Sequence, residues 1–424
     1  MRKHPLAFAL TSILACSGSE PRLQAPSPPD GAGVQRAGST SGLPAPEAAS
    51  HAEGAHPPIP PAPAGNPFSG AALSLNLAFR ARVESSAKAL PDEASLLQRV
   101  AAIPTAVWLD SVQTVDAASR ALDAAEAEQR RTGQPQVTVL VVYDLPGRDC
   151  SASASGGDLA ASLSGEGRYR TEFIDRIAAA FEAHPHQRIA AVVEPDSLAN
   201  IATNLGTPKC AAAEAIYRRS VAYAVRALAR NNVALYLDAA HAGWLGWSGN
   251  RAKFVAVVAD VLAEAGGADK IRGFATNVAN YDTLDAGDLP RLEPSDPATG
   301  ELSYVQLLDE SLSAAGLDGK AFVIDTSRNG RAGIRSRAGS WCNVRGAGLG
   351  ERPRANPAPL VDAYLWIKPP GESDGATDSV VPGFDPQCGG PDAPDSAPGA
   401  PRAGQWFHSY FVQLARNASP PLTP

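Results

Sequence analysis

The chain has 424 residues, 44% of them hydrophobic and 19% charged, which suffices for one large globular domain with a full core. Its formal net charge of −7 leaves no basic surplus to neutralise phosphates, so nucleic acid is excluded as a partner. The five cysteines include no CxxC pair, and neither a zinc ribbon nor a thioredoxin-like site is indicated.

Arg2 and Lys3 precede a short apolar run, 7–15, too short to span a bilayer, and the segment reads as an export signal. The run ends in Ile13-Leu14-Ala15-Cys16. A cysteine in that place, after a small residue, resembles a bacterial lipoprotein cleavage site with Cys16 as the lipidated residue. Leu14 fits that pattern imperfectly, and ordinary signal-peptidase cleavage is the alternative. Setting Cys16 aside leaves Cys150, Cys210, Cys342 and Cys388, a number that suits two disulfides in an oxidising compartment. Buried free thiols are the blander reading. Residues 17–64 hold no aromatic side chain and are dominated by Pro, Ala and Gly, so they read as an extended tether. The expected organisation is a leader (1–16), a linker (17–64) and one folded domain (65–424). The destination is then export, at the cell surface or outer membrane if Cys16 is lipidated and otherwise secreted.

From residue 66 the texture changes to short β-branched runs separated by Ala-rich helical stretches. The runs are 106–109, 137–143, 189–193, 233–237, 271–275, 321–324 and 364–367, with helices expected at 170–183, 211–230 and 252–265 among others. Apolar strands alternating with helices indicate a parallel sheet covered on both faces. Seven such units predict an α/β fold, a distorted seven-stranded parallel β/α barrel of TIM-like type. An open doubly wound sheet is the structural alternative.

Polar residues gather at the carboxyl ends of these runs, where barrel active sites are built. They are Asp110, Asp144 with Asp149, Glu194 with Asp196, Asp238, Asn277, Asp325 and Lys368. A single such Asp would mean little, since Asp commonly caps the helix that follows a strand. Capping is the first reading for Asp325 and Asp110, and a structural role the first for Asp144. Four tryptophans change the balance, because sugar rings need flat apolar platforms beside polar groups. Asp238 is followed within ten residues by His241, Trp244 and Trp247, and Trp341 precedes Cys342. Hydrolysis of a glycosidic bond further needs a carboxylic acid kept protonated and a way to activate water. Bland readings remain for several of these: Trp108 as core, Trp341 as packing on a disulfide, Glu194 and His241 as structural. His184 and His186 flank a proline near a helix end and are not read as metal ligands.

The segments Glu194-Pro195-Asp196-Ser197-Leu198-Ala199-Asn200 and Asp238-Ala239-Ala240-His241-Ala242-Gly243-Trp244-Leu245-Gly246-Trp247 resemble glycoside hydrolase family 6, the cellulose-cleaving cellobiohydrolases and endoglucanases. Residues 204–210 and 275–281 extend the resemblance, which runs from about residue 66 to the C-terminus. It implies that Asp196 is the proton donor and that Asp149 beside it raises the donor's pKa and helps activate water. Ser155 would hold a water, Tyr143 would crowd the sugar at the cleavage point, and Asp374 is the candidate remote base. Asp238, Lys368 and Glu372 would bind sugar, and Trp108, Trp244, Trp247 and Trp341 would be the stacking platforms. Asp110, His241 and Asn277 complete the candidate substrate-binding set. The implied disulfides are Cys150–Cys210 and Cys342–Cys388. Ser74 and Ala78 stand where many relatives carry aromatics, so a far subsite should be weakened.

The resemblance implies inverting hydrolysis of β-1,4-glucan by a monomer that needs neither cofactor nor metal and meets a membrane only through its lipid. Residues 369–405 and 151–169 are long loops, which in a compact domain usually serve as lids. Two lids favour a tunnel and release of cellobiose. An open-cleft endoglucanase is the alternative, and a surface protein that binds cellulose without turnover is the alternative of another class.

Overall fold

One mixed sheet of nine strands organises residues 65–423, the part of the chain that the computed structural model describes. The leader with Cys16 and the whole linker, 17–64, lie outside those residues. The strands are β1 (Ala72–Leu73), β2 (Val107–Leu109), β3 (Gln136–Val142), β4 (Arg188–Val193), β5 (Val233–Asp238), β6 (Gly273–Thr276), β7 (Ala321–Asp325), β8 (Arg354–Ala358) and β9 (Val361–Leu365). Their spatial order is β1-β3-β4-β5-β6-β7-β9-β8, with β2 paired to β3 as well. All pairings are parallel except that of β8 with β9. From β3 to β7 the order advances in one direction. A doubly wound sheet would reverse it, so that alternative is excluded.

Alternation along the strands sorts side chains into two cores. Val137, Val139 and Val141 of β3 join Ala190, Val192, Tyr236, Ala275, Val323 and Ala363 in a cluster that contains no helical residue. Leu140 and Val142 point the other way, to a larger cluster with Leu122, Phe181, Tyr217, Phe254 and Tyr304. Those five come from the helices Ala117–Thr132, Asp175–Ala183, Pro208–Leu228, Ser248–Ala265 and Glu301–Ala314. The central strands β3, β4, β6, β7 and β9 are mostly apolar because they bury both faces. Small residues on the inner face, Ala190, Ala275 and Ala363, let the sheet curl. Its two ends approach where the Ala106 N–H donates to the Trp366 carbonyl at 3.0 Å.

Each of the seven expected runs carries a strand, with β6 starting two residues later than expected and β9 three residues earlier. The expected count of seven is corrected to nine by β1 and β8. β1 has two residues and extends the edge of β3 that β2 also occupies. β8 is an antiparallel edge strand with Pro357 inside it and Asn356 at φ 51°, features that mark an edge rather than a centre.

Both expected disulfides are present, Cys150–Cys210 and Cys342–Cys388. Their sequence separations of 60 and 46 correspond to about 4 kcal/mol each in the chain-entropy view. The first ties the loop after β3 to the start of Pro208–Leu228, and the second ties residues 369–405 to the segment after β7.

Candidate active site

At the carboxyl ends of the strands lies a cleft of about 700 Å³, lined by residues from the loops after β2, β3, β4, β5, β6, β7 and β9. Several of these loops leave their strands through left-handed backbone. Asp149, Glu194, Asp196, Ala240, Asn277 and Ala279 all have φ between 49° and 65°. Non-glycine residues in that region are strained, and such strain concentrates at functional sites.

The strained turns are held by carboxylates. The buried Glu194 accepts the N–H groups of Asp144 and Leu145 at 3.2 Å and the Tyr169 hydroxyl at 2.8 Å. Tyr169 opens a π-bulge, Tyr169–Ile174, that aims its ring at this point. Glu194 is therefore structural, and burial pushes its pKa up to about 7. Asp238, also buried, accepts the N–H of Asp196 at 2.9 Å and that of Ala240 at 3.0 Å. Burial raises its pKa to about 6. It lies behind Asp196 and not on the cleft surface.

Asp196 does line the cleft. Among the described residues none donates a hydrogen bond to its carboxyl. Burial first, then the charges of Asp238 and Asp149, hold its pKa well above the usual carboxylate range. It is equipped to be an acid.

Asp149 faces the same cleft, on the loop fastened at Cys150. Burial raises its pKa, and hydrogen bonding from Ser155 opposes the rise. Arg148 lies over the Tyr143 ring at 4.3 Å and donates to the carbonyls of Tyr143, Asp110 and Ser155, so it ties this loop to β2 and β3. Asp144 faces inward, away from the cleft. Both its oxygens are buried without a hydrogen-bond partner among the described residues, Arg148 is 3.6 Å away, and burial pushes its pKa up to about 9.

Asp374 stands in the opposite environment. Arg328 grips both its oxygens at 2.8 and 2.9 Å, and Oδ2 also accepts the Tyr281 hydroxyl at 3.0 Å and the Asn343 N–H at 2.8 Å. Lys368 is 3.9 Å from Oδ1. Such a carboxylate has little lone-pair capacity to spare. Glu372 pairs with Arg82 at 2.7 Å and lines the cleft near Lys368.

All four tryptophans line the cleft. Trp108 is fixed by its N–H to the Ile367 carbonyl at 2.8 Å and meets Tyr143 edge to face. Trp244 donates to the Thr203 hydroxyl at 2.9 Å, and Trp247 to that of Ser295 at 3.4 Å. Trp341 both lines the cleft and packs on the cluster of Cys342 and Cys388. His241 lines the cleft while its Nδ1 bonds to Asp282 at 2.6 Å. Burial alone would push the pKa of Asp282 up, but Arg335 and His241 outweigh it and hold it far down.

Some expectations need correcting. Asn277 is fully buried, and its amide donates to the carbonyls of Asp282 and Asp325 at 3.0 and 2.9 Å, so it braces two strand ends behind the cleft. Asp110 reaches the cleft and also holds its own turn, accepting the Thr114 hydroxyl at 3.0 Å. Asp325 caps no helix, since none stands between β7 and β8; it accepts the N–H groups of Ala279, Ser327, Ile367 and Lys368 and so ties the ends of β6, β7 and β9 together. Neither Ser74 nor Ala78 lines the cleft. Sequence reasoning missed Arg328, although it follows β7 by three residues in Asp325-Thr326-Ser327-Arg328, the signal used for the other strands. Among the described residues no group of three or more His, Cys, Asp or Glu side chains could hold a metal ion.

A protonated carboxyl in a groove of indole faces can deliver a proton to a glycosidic oxygen, and the class so defined is that of glycoside hydrolases. The model of Glycosyl hydrolases family 6 matches residues 68–418, and the chain belongs to that family. A probable 1,4-beta-D-glucan cellobiohydrolase C from Aspergillus fumigatus is 42% identical over 84% of this chain and 78% of its own length. Exoglucanase 3 of Agaricus bisporus is 40% identical over 85% and 80%. Among solved structures, the catalytic core of the cellobiohydrolase Cel6A from Chaetomium thermophilum matches with a TM-score of 0.81 and 40% identity, over 84% of this chain and all of its own. Cellobiohydrolase II from Humicola insolens, in complex with glucose and cellotetraose, matches at 0.80 and 38%, over 84% of this chain and 100% of its own.

The raised carboxyl groups predict how stability varies with pH. Asp238, Glu194, Asp144 and Asp196 keep their protons in the folded state at pH values where the unfolded chain has released them. The folded state then binds more protons, so stability falls as pH rises through this window. Asp282 and Glu166 are shifted downward, and their contribution is already fully present above the ordinary carboxylate range. Between pH 5 and 9 the first group decides the sign. The melting temperature should drop steadily across that range, and Asp144→Asn should make the drop shallower. A flat profile for the parent, or an unchanged slope for the variant, would contradict these assignments.

Proposed function

We propose that the protein hydrolyses β-1,4-glucosidic bonds of cellulose with inversion at the anomeric carbon, and releases cellobiose from chain ends. The observation that carries the reading is the pairing of environments. Asp196 is desolvated and free of donors on the cleft surface, while Asp374 is gripped by Arg328 through both oxygens. Asp196 donates the proton to the leaving oxygen. Asp149, with Ser155 against it, raises the donor's pKa and orders the attacking water. Asp374 supplies a fixed negative charge near the developing oxocarbenium ion, since proton abstraction by it would first have to displace its donors. Tyr143 crowds the sugar at the cleavage point, and Trp108, Trp244, Trp247 and Trp341 stack the flanking rings. Asp110, His241, Lys368 and Glu372 hold sugar hydroxyls, and Asp238 acts by fixing Asp196. A cut that needs only water calls for no cofactor.

The preference for chain ends rests on Ser151, Ala152, Ala154, Ser155 and Gly156 lining one cleft with Arg402, Ala403 and Gly404, from two different loops. In this reading the sheet works as a distorted barrel of seven parallel strands, with β1 and β8 as edge additions. The enzyme acts as a monomer outside the cytoplasm, tethered by residues 17–64 to a lipid on Cys16.

Asp196→Asn should lower turnover on unactivated cello-oligosaccharides by roughly 10²–10⁴-fold and leave binding to cellulose intact. Near-parental turnover would remove Asp196 from the donor role. Proton NMR of nascent product should show the α-anomer first. An initial β-anomer would demand a nucleophile and defeat inversion. Product analysis on amorphous cellulose should give mainly cellobiose, whereas an early ladder of oligomers would indicate an open cleft. Cys16→Ser should shift the protein from the membrane to the soluble fraction on cell fractionation, and an unchanged distribution would argue against lipidation there.

A further inference from the structure

The two loops that line the cleft are joined at a point outside it. Asp385, in the strap 369–405, is buried and does not line the cleft. Its Oδ1 accepts the Gln387 N–H at 2.8 Å and caps the short turn that carries Cys388. Its Oδ2 accepts the N–H of Ser153, in the other loop, at 2.6 Å. The next residue, Ala154, packs on the cluster of Cys342 and Cys388. A Cβ built on Gly375 would sit 2.8 Å from that of Ala154, so a glycine is needed for the approach. One residue further, the Ser155 carbonyl accepts Arg148 Nε at 2.8 Å, and Ser155 lies close enough to Asp149 to oppose the rise of its pKa. Three successive residues are thus pinned, to Asp385, to the disulfide and to the Asp149 turn.

We infer that Asp385 is a latch: by holding the Ser153 N–H it fixes the 151–162 loop under the strap and so positions Ser155 and Asp149 for the reaction. It is a positioning residue and touches no substrate. The inference rests on the reading above, in which Asp149 and Ser155 serve the cleavage and the two loops roof the cleft. Hydrogen bonds to a charged group are among the stronger ones, so one such bond can bias a loop whose remaining contacts are few. Asp385 also places a negative charge near Asp149 and adds to the rise of its pKa. The other groups facing Asp149 are Arg148 and Ser155 of its own loop, Tyr143 at the end of β3, Asp196 after β4 and Tyr217 of the helix Pro208–Leu228.

The test uses the full chain and three variants. Asp385→Ser keeps a capping hydroxyl but cannot reach Ser153. Ser153→Pro removes the donor and leaves the strap untouched. Asp385→Asn is nearly isosteric and removes only the charge and one acceptor. Asp385→Ser and Ser153→Pro should each lower kcat on a soluble cello-oligosaccharide by roughly tenfold, the worth of one charge-assisted hydrogen bond. Both should shift early products from amorphous cellulose toward longer oligomers. The double variant should be no worse than either single one, because both break the same bond. Asp385→Asn should move the acid limb of the kcat profile to lower pH, since Asp149 loses a like charge; a purely structural role would not move it. Additive losses in the double variant, or parental kcat and pH profile in folded Asp385→Asn, would overturn the latch. A ladder of products from the parent enzyme would overturn the chain-end reading alone, and the latch would still stand or fall on kcat with the soluble substrate.

Discussion

The carboxylate of Asp238 accepts two backbone N–H groups, and one of them belongs to Asp196. Through that bond the end of β5 dictates the turn at the end of β4. Asp196 is left in a left-handed conformation at φ 65°, with its side chain aimed into the cleft and its backbone donor satisfied from behind. A non-glycine residue so placed costs about 1–3 kcal/mol, and a desolvated carboxyl beside like charges costs more. The surrounding structure has to outweigh both. It does so with a sheet whose strands are buried on both faces and with two disulfides, one of them next to Asp149. Stability is gathered in the sheet and given up at the strand ends.

The strand ends sort their carboxylates by what surrounds them. Glu194, Asp238 and Asp325 are filled with backbone donors and act as knots that hold turns. Asp374 is filled with a guanidinium, a hydroxyl and an N–H, and so is a fixed charge. Asp196 has no donors and Asp149 has Ser155, which leaves these two able to exchange protons with a substrate or a water. Residue type cannot distinguish these classes. The count of donors around each oxygen does, and it separates the carboxylates at the strand ends by environment.

The same distinction explains what the sequence revealed and what it hid. Long apolar runs between Ala-rich helices made the central strands legible, since both faces of each strand are buried. β1 and β8 were not, one being two residues long and the other an exposed edge containing Pro357. The structural reading of Glu194 held, because it takes the backbone donors of the turn after β3, whereas the capping reading of Asp325 did not, since no helix stands between β7 and β8 and its donors come from three separate segments. Asn277 misled for a related reason: it sits at a strand end like the others, yet its amide is turned inward to two carbonyls. Arg328 and Tyr281 escaped notice because their partner Asp374 lies far off in the chain, and only the fold brings the three together.

The two loops over the cleft differ in how firmly they are built. The strap 369–405 buries Ser373, Asp374, Ala376, Cys388, Ala397 and Ala400 and is fixed by a disulfide, by the Asn343 amide and, through Glu372, by Arg82. Between 151 and 158 only Ala154 is buried, and the attachments are Arg148, Asp385, the Ala152 N–H on the Asp149 carbonyl and the small contact of Ala154, before Leu159 anchors the segment in the main core. Local opening starts where buried apolar contacts are fewest. The part of the roof that can lift is therefore the part that carries Ser155 and follows Asp149, while the strap stays in place with Asp374. On the proposed assignment of Ser155 and Asp149 to the attacking water, opening this segment and disassembling that side of the site would be one motion. Closure restores both together, so a chain that threads the cleft meets a complete site only when it is roofed.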